Sequence, residues 1–439
     1  MSWKRKNDGL LAKVNFPPYS LEMLTSRHVL VGGGGGSAKT GIANGFEIFE
    51  LAHNGTHFVA EEVTRYETGG NVVMNTATYN DEGRKMWLAA GQESVCQLYN
   101  IQAKVVVAEN GEIPKKTSFS GKEDLRQRRN SESKASVPRK DSIEDLTSQF
   151  KPKRKKLQLV VQPVNKVQTD FGSMQPVQRV VRISLNGKVM ATGGTDGYIR
   201  LWKFPQLDKL HQLRGHDKEI DDIDFCPRSQ QLATVAKDGK LIIWDVNSGS
   251  KIKQLNWNPS ETQKSIFKRC RFQRTAEDLK RPPHLFTLSN SLPAKDRKNK
   301  MHYGFLQLWD NLEQGTIKRL VTYKEVLSEL AVSDDGKFVA VGTMSTGSVD
   351  MFIAFSLQKV LHVPNAHSMF ITNLEFLPTK LDGPAITSNT EAAVISCSVD
   401  NKICIHSIPY RHTLPFWLVL VLIIISICGA FILCSYVGI

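Results

Sequence analysis

The feature that most constrains this chain is a unit that repeats along it. Residues 180–202 read VVRISLNGKVMATGGTDGYIRLW, and residues 220–245 read IDDIDFCPRSQQLATVAKDGKLIIWD. Each is an apolar run, a polar turn, a second apolar run, an Asp-Gly pair and a third run closing on tryptophan. Gly215-His216 stands upstream of the second copy and Trp244-Asp245 ends it, which is the GH…WD signature of one β-propeller blade. Asp-Gly at 196–197 and 238–239 suits a tight hairpin, because glycine tolerates a positive φ. Tyr198, Arg200 and Trp202 alternate with Ile199 and Leu201, as strand residues do. Weaker copies bring the units to seven: 28–51, 76–101, 180–204, 220–246, 267–311, 327–355 and 371–408. Seven lies within the usual range of four to eight blades. The expected fold is all-β, a seven-bladed WD-repeat β-propeller with a disordered basic insertion and a C-terminal transmembrane helix. In this fold His216 and His367 read as structural members of the blade network. Trp202, Trp244 and Trp309 read as packing, and Asp221 and Asp222 as turn-stabilising aspartates.

Two segments break the rhythm. The span from Gly111 to Lys156 holds 14 Lys/Arg and 7 Asp/Glu, so about half of the net charge of +14 lies there. With few aromatic residues it cannot bury enough surface to offset its chain entropy, and disorder is expected. Ser131, Ser133 and Ser136 beside basic residues suggest a phosphorylatable or lipid-attracted tether; a solvated insertion explains the composition as well. The Lys153–Lys156 run also resembles a nuclear signal, a pattern with many false matches. The second segment, 414–437, reads LPFWLVLVLIIISICGAFILCSYV and carries no charge. About 20 of its residues, at about 1.5 Å each, span a hydrocarbon core about 30 Å thick. Phe416, Trp417 and Tyr436 sit near its ends as interfacial aromatics, and Arg411 and His412 flank it on the side that the positive-inside rule assigns to the cytosol. The N-terminal 15 residues lack the apolar stretch of a signal peptide. The seven scattered cysteines include no C-x2-C pair and read as reduced thiols of a cytosolic body. The expected layout is propeller (blades 1 and 2) over 1–102, basic insertion over 103–159, remaining blades over 160–410, anchor over 411–437 and a lumenal tail at 438–439.

The motif nearest to chemistry is VGGGGGSAKTGIANG, residues 31–45. Gly33-x4-Ala38-Lys39-Thr40 is one residue short of a phosphate-binding P-loop. A true P-loop opens a helix whose amides face the phosphate. Here Gly41, Asn44 and Gly45 follow at once, and 46–51 alternates as a strand, so no bound nucleotide is expected. The run instead forms a loop over 32–45 between two strands of the first unit, far longer than ordinary hairpin loops. Its backbone carbonyls can ligate a hard cation, and Ile42 is its branched apolar side chain.

The glycine run, the GGTDGYIRLWK blade, VQTDF at 167–171, IAFSL at 353–357 and the C-terminal apolar segment together resemble the PREB family, animal endoplasmic-reticulum exchange factors. The resemblance covers nearly the whole chain. It implies a guanine-nucleotide exchange factor that activates a Sar-type small GTPase and starts COPII coat assembly for ER-to-Golgi transport. The protein is then single-pass in the endoplasmic-reticulum membrane, with its propeller in the cytosol and COPII coat and exit-site proteins as further partners. Such a factor is no enzyme with bond chemistry of its own; it accelerates GDP release. The resemblance places GTPase contact on Asn44 and Ile42, with Lys39 and Thr40 beside them. It places a structural potassium ion on backbone oxygens of Gly34, Gly35, Gly36 and Ser37. Glu67, Asn71 and Asn75, read as a connecting loop, could share the GTPase face. Two other functions compete. A DNA-binding regulator fits the basic insertion but lacks a groove-reading element and sits badly with an anchor, so nucleic acid is not an expected partner. A non-catalytic membrane scaffold would tolerate changes at Asn44 and Ile42.

Overall fold

The computed structural model describes residues 9–36, 41–81, 85–107, 155–172, 174–261, 263–274, 284–292, 302–312, 314–379, 386, 390–410 and 416–438. Its strands form seven four-stranded antiparallel sheets. The second sheet in chain order joins β2 (Pro18–Met23), β3 (His28–Gly33), β4 (Gly45–His53) and β5 (Phe58–Glu67). The next joins β6 (Val73–Asn80), β7 (Met86–Gln92), β8 (Val95–Val107) and β9 (Lys155–Gln168). Strands β10–β25 build four more sheets between Gln178 and Val363 by the same meander. The last sheet contains β26 (Ile371–Phe376), β27 (Thr390–Ser398) and β28 (Lys402–Pro409), and its fourth strand is β1 (Leu10–Lys13) from the other end of the chain.

That exchange closes the ring, and sequence periodicity missed it because β1 offers only LLAK. The amide of Ile405 donates to the Gly9 carbonyl at 2.7 Å and that of Val14 to the Asn401 carbonyl at 3.0 Å. Val14, Phe16, Leu21 and Val29 then share one core with Ile395, Ile403 and Ile405. Every blade is sealed to its neighbour in this way. Ile199 and Leu201 of the third blade, for example, pack with Ile223, Phe225, Leu232 and Trp244 of the fourth. WD residues complete the hairpins of several blades. His216 bonds the Thr234 hydroxyl at 2.8 Å and the Asp238 carboxylate at 3.2 Å, and the Trp244 indole N–H donates to the same Thr234 at 2.9 Å. His367 repeats the pattern with Ser396 and Asp400. Trp202 and Trp309 donate to Thr192 and Thr287 at 2.9 Å each.

One expectation about these blades is corrected. The turn-stabilising acid is Asp238, at the hairpin itself, and not Asp221 or Asp222. Those two lie on an innermost strand, β14 (Ile220–Phe225), among the cations of neighbouring inner strands. Asp221 accepts from Lys268 at 3.1 Å, and Asp222 pairs with Arg271. Burial alone would raise the Asp222 carboxyl, but Arg271, Arg182 and Arg269 hold it below its ordinary value. Arg182 to Glu22 at 3.1 Å and Arg269 to Glu329 at 2.9 Å continue this belt of ion pairs between the inner strands.

The insertion is also narrower than composition suggested, because β8 runs on to Val107 and β9 begins at Lys155. The basic residues from Lys115 to Arg154 lie outside the described residues. The meander sends its loops to two opposite faces. One face carries the connections within hairpins β3–β4 and β7–β8 and those between successive blades. The other carries the loop from inner strand to second strand, and Pro409, paired with Thr390 at the start of β27, ends there. Beyond it, α1 (Phe416–Val437) is apolar along its length, and Trp417–Tyr436 is long enough to cross a membrane with none of it buried in the protein. Arg411 and His412 lie outside the described residues.

Candidate functional site

The glycine run is a β3–β4 hairpin loop, and its glycines have different reasons. Gly32, Gly33 and Gly45 belong to strands, so the loop proper is 34–44 rather than 32–45. A Cβ on Gly32 would lie 2.8 Å from the Val73 side chain, and one on Gly33 would lie 2.1 Å from the Pro17 carbonyl. At Gly45 it would meet the Tyr66 carbonyl at 2.1 Å. Gly33 and Gly45 need glycine because backbone approaches backbone, whereas at Gly32 the side chains of Ser20 and Val73 fill the space. Gly36 and Gly41 are different: their φ values of +91° and +76° are left-handed, and the space around them is open.

Asn44 holds the loop at its base. Its side-chain oxygen accepts the Gly36 amide at 3.0 Å, and its amide nitrogen donates to the carbonyls of Gly36 at 3.1 Å and Gly69 at 3.0 Å. Its own carbonyl accepts the Thr68 amide at 3.0 Å. Asn44 is 5% exposed. It is therefore turned inward, tying the loop's two legs to the β5–β6 connection, whereas Ile42 projects with 39% exposure. Gly34 completes the clamp, since a Cβ there would lie 2.2 Å from the Asn44 oxygen. The P-loop alternative finds no helix after the run, and the amides of Gly34 and Gly36 are already taken by Pro17 and Asn44.

The other expected site residues divide. Glu67 and Asn71 are exposed at the same edge, and Thr68 donates to the Asn71 carbonyl at 2.7 Å. They do not form one loop with Asn75, because Glu67 ends β5 and Asn75 lies within β6. Asn75 is locked to the next blade, donating to the Gln178 carbonyl at 2.9 Å and accepting from the Gln178 amide at 2.8 Å. Ser37, Lys39 and Thr40 lie outside the described residues. The residues that could hold a potassium ion are Gly34, Gly35 and Gly36 through their carbonyls. Their donor set is neutral oxygen, which fits a large monovalent cation better than zinc or calcium. Among the described residues no cluster of three His, Cys, Asp or Glu offers a rival metal site.

The loop borders a depression of about 930 Å³ on its face of the propeller, also lined by Val72, Met74, Gly172 and Met174. Its far rim is a polar knot that sequence reading used only as a family marker, VQTDF. The Asp170 carboxylate, fully buried, accepts from the Thr195 amide at 2.6 Å, the Thr195 hydroxyl at 2.7 Å and the Gly172 amide at 2.8 Å. Arg200 donates to the Thr169 carbonyl and to Asp196, both at 2.6 Å. In sequence the TD pair at 169–170 stands one hairpin ahead of the GGTDG turn at 193–197, and only the fold brings the two together.

Comparison with known proteins agrees with this architecture. The WD domain, G-beta repeat family matches residues 166–203 and 207–245. Mouse "Guanine nucleotide-exchange factor SEC12" is 34% identical over 417 residues, covering 94% of this chain and 93% of its own. The chain belongs to the SEC12 family of guanine nucleotide-exchange factors. The resemblance drawn from its motifs is thereby shown, as is the WD-repeat propeller. Within this SEC12-family chain, likeness extends to the Arabidopsis thaliana "SEC12-like protein 1", 26% identical over 46% of this chain and 47% of that one. Among solved structures, Chaetomium thermophilum Raptor superposes with a TM-score of 0.58 at 13% identity, covering 93% of this chain and 29% of its own; that likeness shows the fold alone.

Proposed function

We propose that this SEC12-family chain activates a Sar-type small GTPase at the endoplasmic-reticulum membrane and so initiates COPII coat assembly with coat and exit-site proteins. The observation that carries the reading is the Asn44 clamp, which ties Gly36 to the β5–β6 connection at the foot of the glycine-rich loop, close to the exposed Ile42. An exchange factor makes and breaks no bond in its substrate. It must bind the nucleotide-free GTPase better than the loaded one, and a preorganised wedge does so without the cost of ordering a floppy loop. In this reading Ile42, with Lys39 and Thr40, meets the GTPase, Asn44 positions them, and Glu67 and Asn71 border the contact. A potassium ion held by carbonyls of Gly34, Gly35 and Gly36, with Ser37, would stiffen the loop further. Helix α1 crosses the bilayer once, with the propeller on the cytosolic side. Six residues separate Pro409 from that helix, a reach of roughly 25 Å at most. The face bearing Pro409 therefore stays near the bilayer, and the glycine loop on the opposite face is open to the cytosol.

The test is release of fluorescent GDP from a Sar-type GTPase by the full chain in detergent micelles. We expect wild type to accelerate release, Ile42→Ala to lose about tenfold, and Asn44→Ala to lose about a hundredfold because the whole projection relaxes. Acceleration equal in all three would remove the loop from the mechanism. No acceleration by folded wild type would favour a non-catalytic scaffold.

A further inference from the structure

We infer that Phe171 and Met174, across the depression from the glycine loop, form a second, apolar contact for the same GTPase; this rests on the exchange-factor reading above. Phe171 is 59% exposed and Met174 is 86% exposed, and Phe171 is held rather than loose. The Phe171 amide donates to Asp196 at 3.4 Å, and its ring stacks on the Arg200 guanidinium at 4.9 Å. That guanidinium is itself held by Thr169 and Asp196. The ring is thus presented in one place, so a partner covering it spends little on immobilising it. Aromatic residues held in this way are the usual anchors of protein contacts, and an exposed methionine beside one adapts to the shape it meets.

Two of the charge pairs nearby are made within the protein: Arg200 with Asp196 at 2.6 Å and Arg179 with Asp221 at 3.5 Å. The large side chains that this rim leaves most exposed, Phe171 and Met174, are apolar. The occupant is the GTPase because the surface is continuous with the exchange loop. Gly34, Gly35 and Gly36 form one wall of the depression and Gly172 and Met174 another. A protein seated on the base of the glycine loop at Gly34–Gly36 would meet both walls. Its matching surface is an exposed apolar groove, and the contact supplies binding rather than displacement of nucleotide.

The experiment measures GDP release by the full chain in detergent over a range of GTPase concentrations. The variants are Phe171→Ala, Phe171→Leu, Met174→Ala and, as control on the opposite face, Phe355→Ala, an exposed residue of the loop after β24 (Val349–Ile353). We expect Phe171→Ala to raise the half-saturating GTPase concentration about tenfold and Met174→Ala about threefold, with the maximal rate within about twofold. Phe171→Leu recovers most of the loss, and Phe355→Ala matches wild type. Equal half-saturation in wild type, Phe171→Ala and Met174→Ala would overturn the inference. So would a loss in Phe171→Ala that follows a lowered melting temperature while Met174→Ala is unchanged, since that marks a structural ring. A change of sedimentation in the free chain would assign the patch to self-association instead. If wild type itself releases no GDP, the exchange reading fails first; activity indifferent to these residues fails this inference alone.

Discussion

At the residue scale, side chains read as members of the blade network do hold its geometry. His216 is the clearest case. Burial alone would raise the carboxyl of its partner Asp238, but the His216 ring and the amides of Lys240 and Asp217 outweigh it and hold that carboxyl at about 2. A carboxyl depressed from 3.8 in the folded state contributes stability that is complete above about pH 4 and is lost as pH falls toward 2. Asp238→Asn should therefore cost about 1–2 kcal/mol at pH 7, read as a lower urea midpoint, and should flatten the acid dependence between pH 4 and 2. Asn44 was picked out in the sequence only through the family resemblance, as a GTPase contact. Its inward direction was not legible there, because two of its partners, Gly36 and Gly69, are 8 and 25 positions away.

At the element scale, hairpins with Asp-Gly turns and closing tryptophans were readable because the signals that make them are local. Outer strands were harder. The β5 face alternates between partly buried and exposed, so its pattern is diluted by solvent-facing residues. Strand β1 is the extreme: four residues whose only claim to strand structure is a partner almost 400 positions away. It pairs Leu10 with Cys404 and Lys13 with Lys402, and Gly9 must be glycine because a Cβ there would lie 2.3 Å from the Ile405 carbonyl. Removing residues 1–13 should lower the melting temperature by about 5 °C or more and expose β28 as an edge. Calorimetry with light scattering checks both; an unchanged melting temperature would mean that closure is dispensable.

At the scale of the whole molecule, one end of the chain closes the ring and the other leaves it as an apolar helix. Trp417–Tyr436 exposes an uncovered apolar surface that water does not tolerate, and a bilayer is the medium it matches. The full chain should remain in the pellet after alkaline carbonate extraction of membranes, and a chain ending at Tyr410 should move to the supernatant. Retention of the shortened chain would point to a second membrane contact on the propeller, with the basic residues of 111–156 as the first place to look.

What the sequence determined by itself was whatever is encoded within a few residues: seven blade units, the length and apolarity of the C-terminal segment, the charge of the insertion, and a glycine run that could not open a helix. Family resemblance added the exchange activity, which whole-length similarity then supported. Only the tertiary structure decided which face each loop shares, that β1 completes the last blade, that Asp221 and Asp222 pair with cations of neighbouring inner strands, and that the glycine loop and Met174 line one depression. Those relations join residues far apart in the chain. They are settled by ring closure and by the packing of blade on blade, which no local pattern of residues contains.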